Sequence, residues 1–292
     1  MCDEFIHPGL VTDSRLSRRS FGLMTAAAAG IAGAPALAQS NVVEQDVMVK
    51  TADGNCDAVL FHPAGPGRDQ GSWPAVLVWP DIMGLRPAFR DMGRRLAGQG
   101  YVVLVPNPFY RSAKAPVVGD NVDFSNPETR TKLAGYRSAM TDDGIDHDAQ
   151  SYLAFLDAQP QTSKTHKAGV QGYCMGGALS FRTAAAVPGR IAAVGSFHGG
   201  NGLVTQNPNS PHLLIAKTNA SYLVCQAQND DMQNPQVKED LKTAFTAAKR
   251  PATVEVYQAN HGWCVKGGQV YNEAEAERAW TNLGQLYRTN LA

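Results

Sequence analysis

The chain predicts an α/β fold: one domain on a mostly parallel, twisted sheet with helices on both faces. Short apolar runs of strand length alternate with stretches of helical spacing, and several runs are apolar at every position, as strands covered on both faces must be. A hydrophobic content of 43 % is enough to fill one core across residues 39–292. Charge is balanced, with 26 Lys and Arg against 26 Asp and Glu, so no basic surface for nucleic acid is expected.

In chain order, the first feature is a leader. Ser17-Arg18-Arg19-Ser20-Phe21-Gly22-Leu23 precedes an Ala- and Gly-rich stretch to Pro35, and Ala36-Leu37-Ala38 follows. Paired arginines before a short apolar stretch and a small-x-small site read as a twin-arginine signal peptide over residues 1–38, cleaved near Gln39. The apolar stretch is too short for a membrane span. The expectation is a folded, exported protein, periplasmic or secreted, with no membrane attachment after cleavage. The leader carries Arg15, Arg18 and Arg19 against Asp3, Glu4 and Asp13, so its loss leaves net charge at zero.

Gln45–Lys50 and Cys56–Phe61 flank an Asp53-Gly54 turn signal and read as a hairpin. Strands then alternate with helices: 75–79, helix 89–97, 101–105, helix 146–156, 169–173, helix 178–186, 191–196. Ser221–Cys225 and Ala252–Tyr257 are further strands. Ala279-Trp280, Leu283 and Leu286-Tyr287 share one helical face, so 273–291 closes the domain as an amphipathic helix. Ser112 to Gly144 has prolines, mixed charge and weak periodicity; it reads as a cap over a pocket or as a long surface loop.

The candidate chemistry centres on Gly172-Tyr173-Cys174-Met175-Gly176-Gly177, directly after a strand. Small residues around one nucleophilic side chain permit a sharp strand-to-helix turn that lifts the reactive atom clear of the backbone. The helix start favours negative charge, which suits a thiolate. An acid and then a histidine should follow on later strand ends. Asp230 and Asp231 stand in the polar loop after 221–225, and His261 in the loop after 252–257. Asp230 is taken as the acid, because the first aspartate after such a strand points back toward the histidine. His198, in Ser196-Phe197-His198-Gly199-Gly200, is placed at the pocket wall, shaping the site rather than performing chemistry.

These segments resemble the dienelactone hydrolase family, an α/β-hydrolase branch with cysteine as nucleophile. Two more segments carry the resemblance: Val78-Trp79-Pro80-Asp81-Ile82-Met83-Gly84-Leu85 and Val105-Pro106-Asn107-Pro108-Phe109-Tyr110-Arg111. The likeness covers nearly all of the chain after residue 40. It implies an ester or lactone hydrolase with Cys174, His261 and Asp230 as triad, and an oxyanion hole from the N–H groups of Ile82 and Met175. It further implies that Asp81, where the family more usually has Glu, faces the nucleophile; a carboxylate there either pulls the thiol proton when substrate arrives or holds the thiol neutral until then. Arg111 would anchor a substrate carboxylate. The implied partner is a small-molecule ester or lactone; no metal or organic cofactor and a monomeric state are expected.

Cys56, Cys174, Cys225 and Cys264 remain after leader removal, which leaves a disulfide open. Cys264 is close enough in sequence to His261 to approach the site. Other classes are disfavoured: a thiol-redox protein would want Cys-x-x-Cys, and a non-catalytic binding protein would hold Cys174 away from His261.

Overall fold

The computed structural model describes residues 42–65, 72–119 and 122–291; the leader lies outside them. Eight strands form one sheet: β1 (Val42–Thr51), β2 (Gly54–Pro63), β3 (Ala75–Trp79), β4 (Val102–Pro106), β5 (Ala168–Tyr173), β6 (Ile191–Phe197), β7 (Ser221–Ala227) and β8 (Ala252–Tyr257). Their order is β1-β2-β4-β3-β5-β6-β7-β8. β1 and β2 form the hairpin and β2 pairs antiparallel with β4; all other pairings are parallel. The hairpin is tighter than the sequence suggests, because Thr51 pairs directly with Gly54 and only two residues turn the chain.

Parallel strands in the middle of a covered sheet must be apolar on both sides. β3, β4 and β5 are buried at every position. Alternation splits them between two cores: Leu77 and Trp79 face one layer, Val76 and Val78 the other. The first layer holds α3 (Asp142–Ala158), α4 (Met175–Ala186) and α7 (Gln236–Ala248). The second holds α1 (Pro87–Gly98) and α8 (Glu273–Asn290). Pro87 starts α1 where its missing N–H costs nothing, and Phe89, Met92 and Leu96 form its buried stripe. In α8 Asn272 caps the first turn, and Ala279, Leu283 and Tyr287 recur every four residues on the buried face.

Ser112 to Gly144 is not one long loop. It contains α2 (Pro127–Ser138), capped by the Asn126 side chain accepting from the Glu128 N–H. Only Leu133 of α2 is buried, so the helix has almost no apolar stripe and its periodicity is weak in sequence. Phe124, Leu133 and Met140 anchor the segment to the first core. Thr141 caps α3, starting it four residues before the expected 146. The polar run after β7 is also helical, as α6 (Gln228–Gln233), and α5 (Pro211–Leu214) is a single turn. Among the described residues all four cysteines are free and buried, and no helix is long and apolar enough to cross a membrane.

Leu283 is 1 % exposed and packs between α8 and the sheet. Leu283→Ala should cost about 2–5 kcal/mol, read as a lowered urea midpoint at unchanged slope. A loss under about 0.5 kcal/mol, the level of surface substitutions, would mean α8 does not close the core.

Candidate active site

Cys174 stands between β5 and α4 with φ 53° and ψ −118°, a strained conformation for a residue with a side chain. Three glycines allow it by close approach. A Cβ on Gly172 would lie 1.8 Å from the Gly176 carbonyl oxygen, one on Gly176 2.5 Å from that of Trp79, and one on Gly177 2.6 Å from Ser196 Oγ. α4 therefore runs directly against β3, β5 and β6, with Trp79 Nε1 donating to Thr183 Oγ1 at 2.9 Å across the β3–α4 contact. Met175 is the first residue of α4, so its N–H belongs to the turn whose donors have no partner within the helix.

Asp230 sits in the first turn of α6 and His261 in the loop after β8. His261 Nδ1 donates to Asp230 Oδ2 at 2.7 Å. Two further contacts fix these loops together: the His261 N–H donates to Asn229 Oδ1 at 2.8 Å, and the Gln228 N–H to the Ala259 carbonyl at 3.0 Å. Asp231 faces away, held by Lys238 Nζ at 2.7 Å. The Cys174 sulfur is near enough to His261 to act on its charge, and Cys174, Asp230 and His261 are each only 4 % exposed. Burial by itself lowers the His261 pKa, but the Cys174 sulfur and the Asp230 carboxylate outweigh it and push the value up to about 10.

The other expected residues are engaged by neighbours of their own. Asp81 is buried, but its carboxylate is held by Arg86, at 2.6 and 2.8 Å, and accepts the Met83 N–H at 2.9 Å. These bonds brace the loop that carries Ile82. One methylene shorter than Glu, Asp81 closes on its own loop and on the first cation downstream. Arg111 donates to Asp53 Oδ2 at 2.6 Å, to Asp148 at 2.7 and 2.9 Å, and to the Gly144 carbonyl. Burial lowers its pKa, yet the two carboxylates raise it overall. This guanidinium locks the β1–β2 turn to α3 and has no fork left for a substrate carboxylate. Cys264 is buried, its thiol pushed well above the usual range by desolvation, and it lines a cavity with Tyr173 and Phe197.

His198 and Asn229 are closer to the chemistry than sequence reasoning placed them. His198 Nδ1 accepts the Cys174 N–H at 3.1 Å, and its ring meets that of His261 edge-on at 4.8 Å. The sequence signal was present, a histidine at the end of the strand before the one that leads to the acid, but nothing there says which atom it bonds. A cleft of about 280 Å³ opens next to the Ile82 loop, lined by Met83, Arg86, Val118, Val122, Val265 and Lys266 among others. Among the described residues no group of three or more His, Cys, Asp or Glu is arranged to hold a metal ion.

Residues 56–291 match the Dienelactone hydrolase family. A protein of Escherichia coli (strain K12) provisionally named a carboxymethylenebutenolidase is 27 % identical over 236 residues, covering 80 % of this chain and 83 % of its own. Among solved structures, a provisionally named dienelactone hydrolase from Klebsiella pneumoniae subsp. pneumoniae MGH 78578 superposes with a TM-score of 0.72 at 23 % identity, covering 85 % of this chain and 98 % of its own. A dienelactone hydrolase-like promiscuous phosphotriesterase from metagenomic libraries gives 0.68 at 21 %, covering 86 % and 100 %. Both share the α/β-hydrolase fold described above.

The His261 value lies above the ordinary 6.5, so its charged form is favoured in the folded protein. Its contribution to stability is complete below about pH 6.5 and is lost as pH rises through about 10. Because the sulfur is the first of the groups that raise it, Cys174→Ala should lower the His261 pKa, followed by NMR of the ring. An unchanged titration would mean that Asp230 alone holds the charge. Arg111→Ala should cost about 3–5 kcal/mol, because the buried Asp148 keeps the Tyr110 hydroxyl but loses its counter-charge. It should reduce turnover of a carboxylated lactone and of a neutral ester equally; a selective loss on the carboxylated substrate would show that Arg111 reaches it.

Proposed function

The chain belongs to the dienelactone hydrolase family, and we propose that it cleaves a small-molecule ester or lactone through a covalent intermediate on Cys174. The observation that carries this reading is one buried line of contacts: a strained cysteine against His261, and His261 Nδ1 held by Asp230 at 2.7 Å. A binding protein on this scaffold has no need of a histidine so raised in basicity by a nucleophile and a carboxylate together.

In the proposed reaction the proton of the Cys174–His261 pair rests on His261 while the Cys174 sulfur bonds to the substrate carbonyl carbon. Negative charge moves to the carbonyl oxygen, where the N–H groups of Met175 and Ile82 receive it. The tetrahedral intermediate collapses by breaking the bond to the alkoxy oxygen, and His261 returns its proton to that leaving group. In a lactone the released alcohol stays tethered to the thioester. Water, deprotonated by His261, then attacks the thioester carbonyl, and the C–S bond breaks to restore Cys174. Asp230 holds the ring orientation and stabilises the imidazolium in both halves. The braced Asp81 loop supports the reading by fixing Ile82.

We also infer export of the mature protein from the Arg18-Arg19 leader and its Ala-x-Ala end. On this reading the enzyme begins near Gln39 and works in the periplasm or outside the cell.

A panel of small lactones and p-nitrophenyl esters tests the reaction. Cys174→Ala and His261→Ala should each lower turnover by about a thousandfold or more. Asp230→Asn should be severe, and Asp231→Asn mild, given its pairing with Lys238. Intact protein mass should show an acyl adduct in the wild type only. Near-normal turnover in Cys174→Ala would remove the covalent mechanism.

A further inference from the structure

Among the described residues three non-glycine residues have left-handed backbone: Cys174, His198 with φ 41°, and Lys249. Lys249 ends a helix, where such geometry is routine. The other two sit at the carboxyl ends of the neighbouring strands β5 and β6. Left-handed backbone costs a residue with a Cβ, so it persists where surrounding structure fixes the side chain in one place.

His198 is 1 % exposed, and its backbone N–H donates to the Cys225 carbonyl at 2.8 Å. The ring is thereby turned under the elbow. The Cys174 N–H is shared between the Phe197 carbonyl at 2.9 Å and His198 Nδ1 at 3.1 Å. On its other side the ring meets His261 at 4.8 Å and Trp263 at 5.1 Å, both edge-on. Two residues later the segment reaches the acid, since a Cβ on Gly200 would lie 3.2 Å from Asp230 Oδ2. One short run at the end of β6 thus touches all three members of the proposed triad.

We propose that His198 is a positioning residue which, as a neutral ring, holds Cys174 and His261 in register and must stay unprotonated for the enzyme to work. The proposal rests on the reading of Cys174 as nucleophile and His261 as base. Nδ1 can accept from the Cys174 N–H only through its lone pair, so the ring proton lies on Nε2. A proton on Nδ1 would set donor against donor at the elbow. It would also put a second positive ring against His261 in a buried setting, where like charges repel strongly. The groups around the ring are Tyr173 and Cys174 from β5 and the elbow, the Cys225 carbonyl from β7, Asp230 from α6, and His261 and Trp263 from the loop after β8. The one carboxylate among them, Asp230, is engaged with His261. Because Phe197 keeps the ladder bond to Cys174, loss of the His198 bond should disturb orientation more than folding.

His198→Asn and His198→Leu separate these roles. Asn tolerates left-handed backbone and can offer Oδ1 near the place of Nδ1, whereas Leu keeps bulk without an acceptor. Two measurements are made against pH: kcat and KM for a p-nitrophenyl ester, and iodoacetamide alkylation of Cys174 located by peptide mass. In the wild type the acid limb of log kcat/KM should have a slope of about two, one proton entering the Cys174–His261 pair and one His198. In His198→Asn that slope should fall to about one, with kcat at the optimum within about threefold of wild type. His198→Leu should lose about tenfold or more in kcat with little change in KM. The alkylation profile should lose the same proton in His198→Asn. A wild-type slope already near one, a slope of two retained in His198→Asn, or wild-type kcat in His198→Leu would overturn the proposal. If Cys174→Ala keeps ester turnover, the nucleophile reading fails separately, and the alkylation profiles still decide whether His198 governs the thiol.

Discussion

Contact between the backbone of α4 and the strands beneath it controls everything else in the site. Gly172 and Gly176 meet so closely that no side chain fits at either position, and Gly176 lies against the carbonyl oxygens of Trp79 and Pro80. That approach forces the chain through left-handed backbone at Cys174, brings the start of α4 over the sulfur, and brings the Ile82 loop after β3 to the same side. Parallel pairing of β5 with β3 and β6 does the rest, because strands running in one direction deliver all their carboxyl ends to one edge. Cys174, Asp230 and His261, the proposed nucleophile, acid and base, come from the ends of β5, β7 and β8, separated in sequence and joined by that geometry alone.

Burial then decides the electrostatics. A histidine as buried as His261 would ordinarily lose its proton more easily. Here the sulfur and the carboxylate reverse that tendency, so the ring's basicity depends on holding both at contact distance. The protein invests hydrogen bonds in that distance: Asn229 anchors the backbone of His261, Gln228 ties α6 to the loop after β8, and His198 takes the N–H of Cys174. None of these groups exchanges protons with substrate in the proposed reaction. They keep the groups that do from drifting apart in a medium where an unpaired charge is expensive.

The arginines and carboxylates outside that line follow a different logic. Arg111 and Arg86 each sit where a fork can take a nearby carboxylate in two bonds, and each does so with an acid from its own surroundings. Asp81, a methylene shorter than glutamate, is within reach of its own Met83 N–H. A longer side chain at the same position would extend further from the loop before finding a partner. The short one closes on its own loop and braces the segment that carries Ile82.

The contrast explains which parts of the site were readable from sequence. Steric requirements are local and leave residue signatures: Gly-x-Cys-x-Gly-Gly marks the elbow, all-apolar runs mark the covered strands, and the four-residue spacing in α8 marks its buried face. That Asp230 and His261 would meet was readable too, because each follows a strand. Helices α2, α6 and α7 were harder: α2 buries one leucine, and α6 is a single polar turn or two whose first-turn aspartates look like a loop. Hydrogen-bond partners were harder still. With as many acidic as basic side chains along the chain, sequence does not say which carboxylate meets Arg111, nor that His198 bonds the backbone of a residue 24 positions earlier. Such pairings are decided by the register of parallel strands, in which a shift of one residue would exchange the two faces. The elbow sets where Cys174 stands, and the register sets which side chains can reach it.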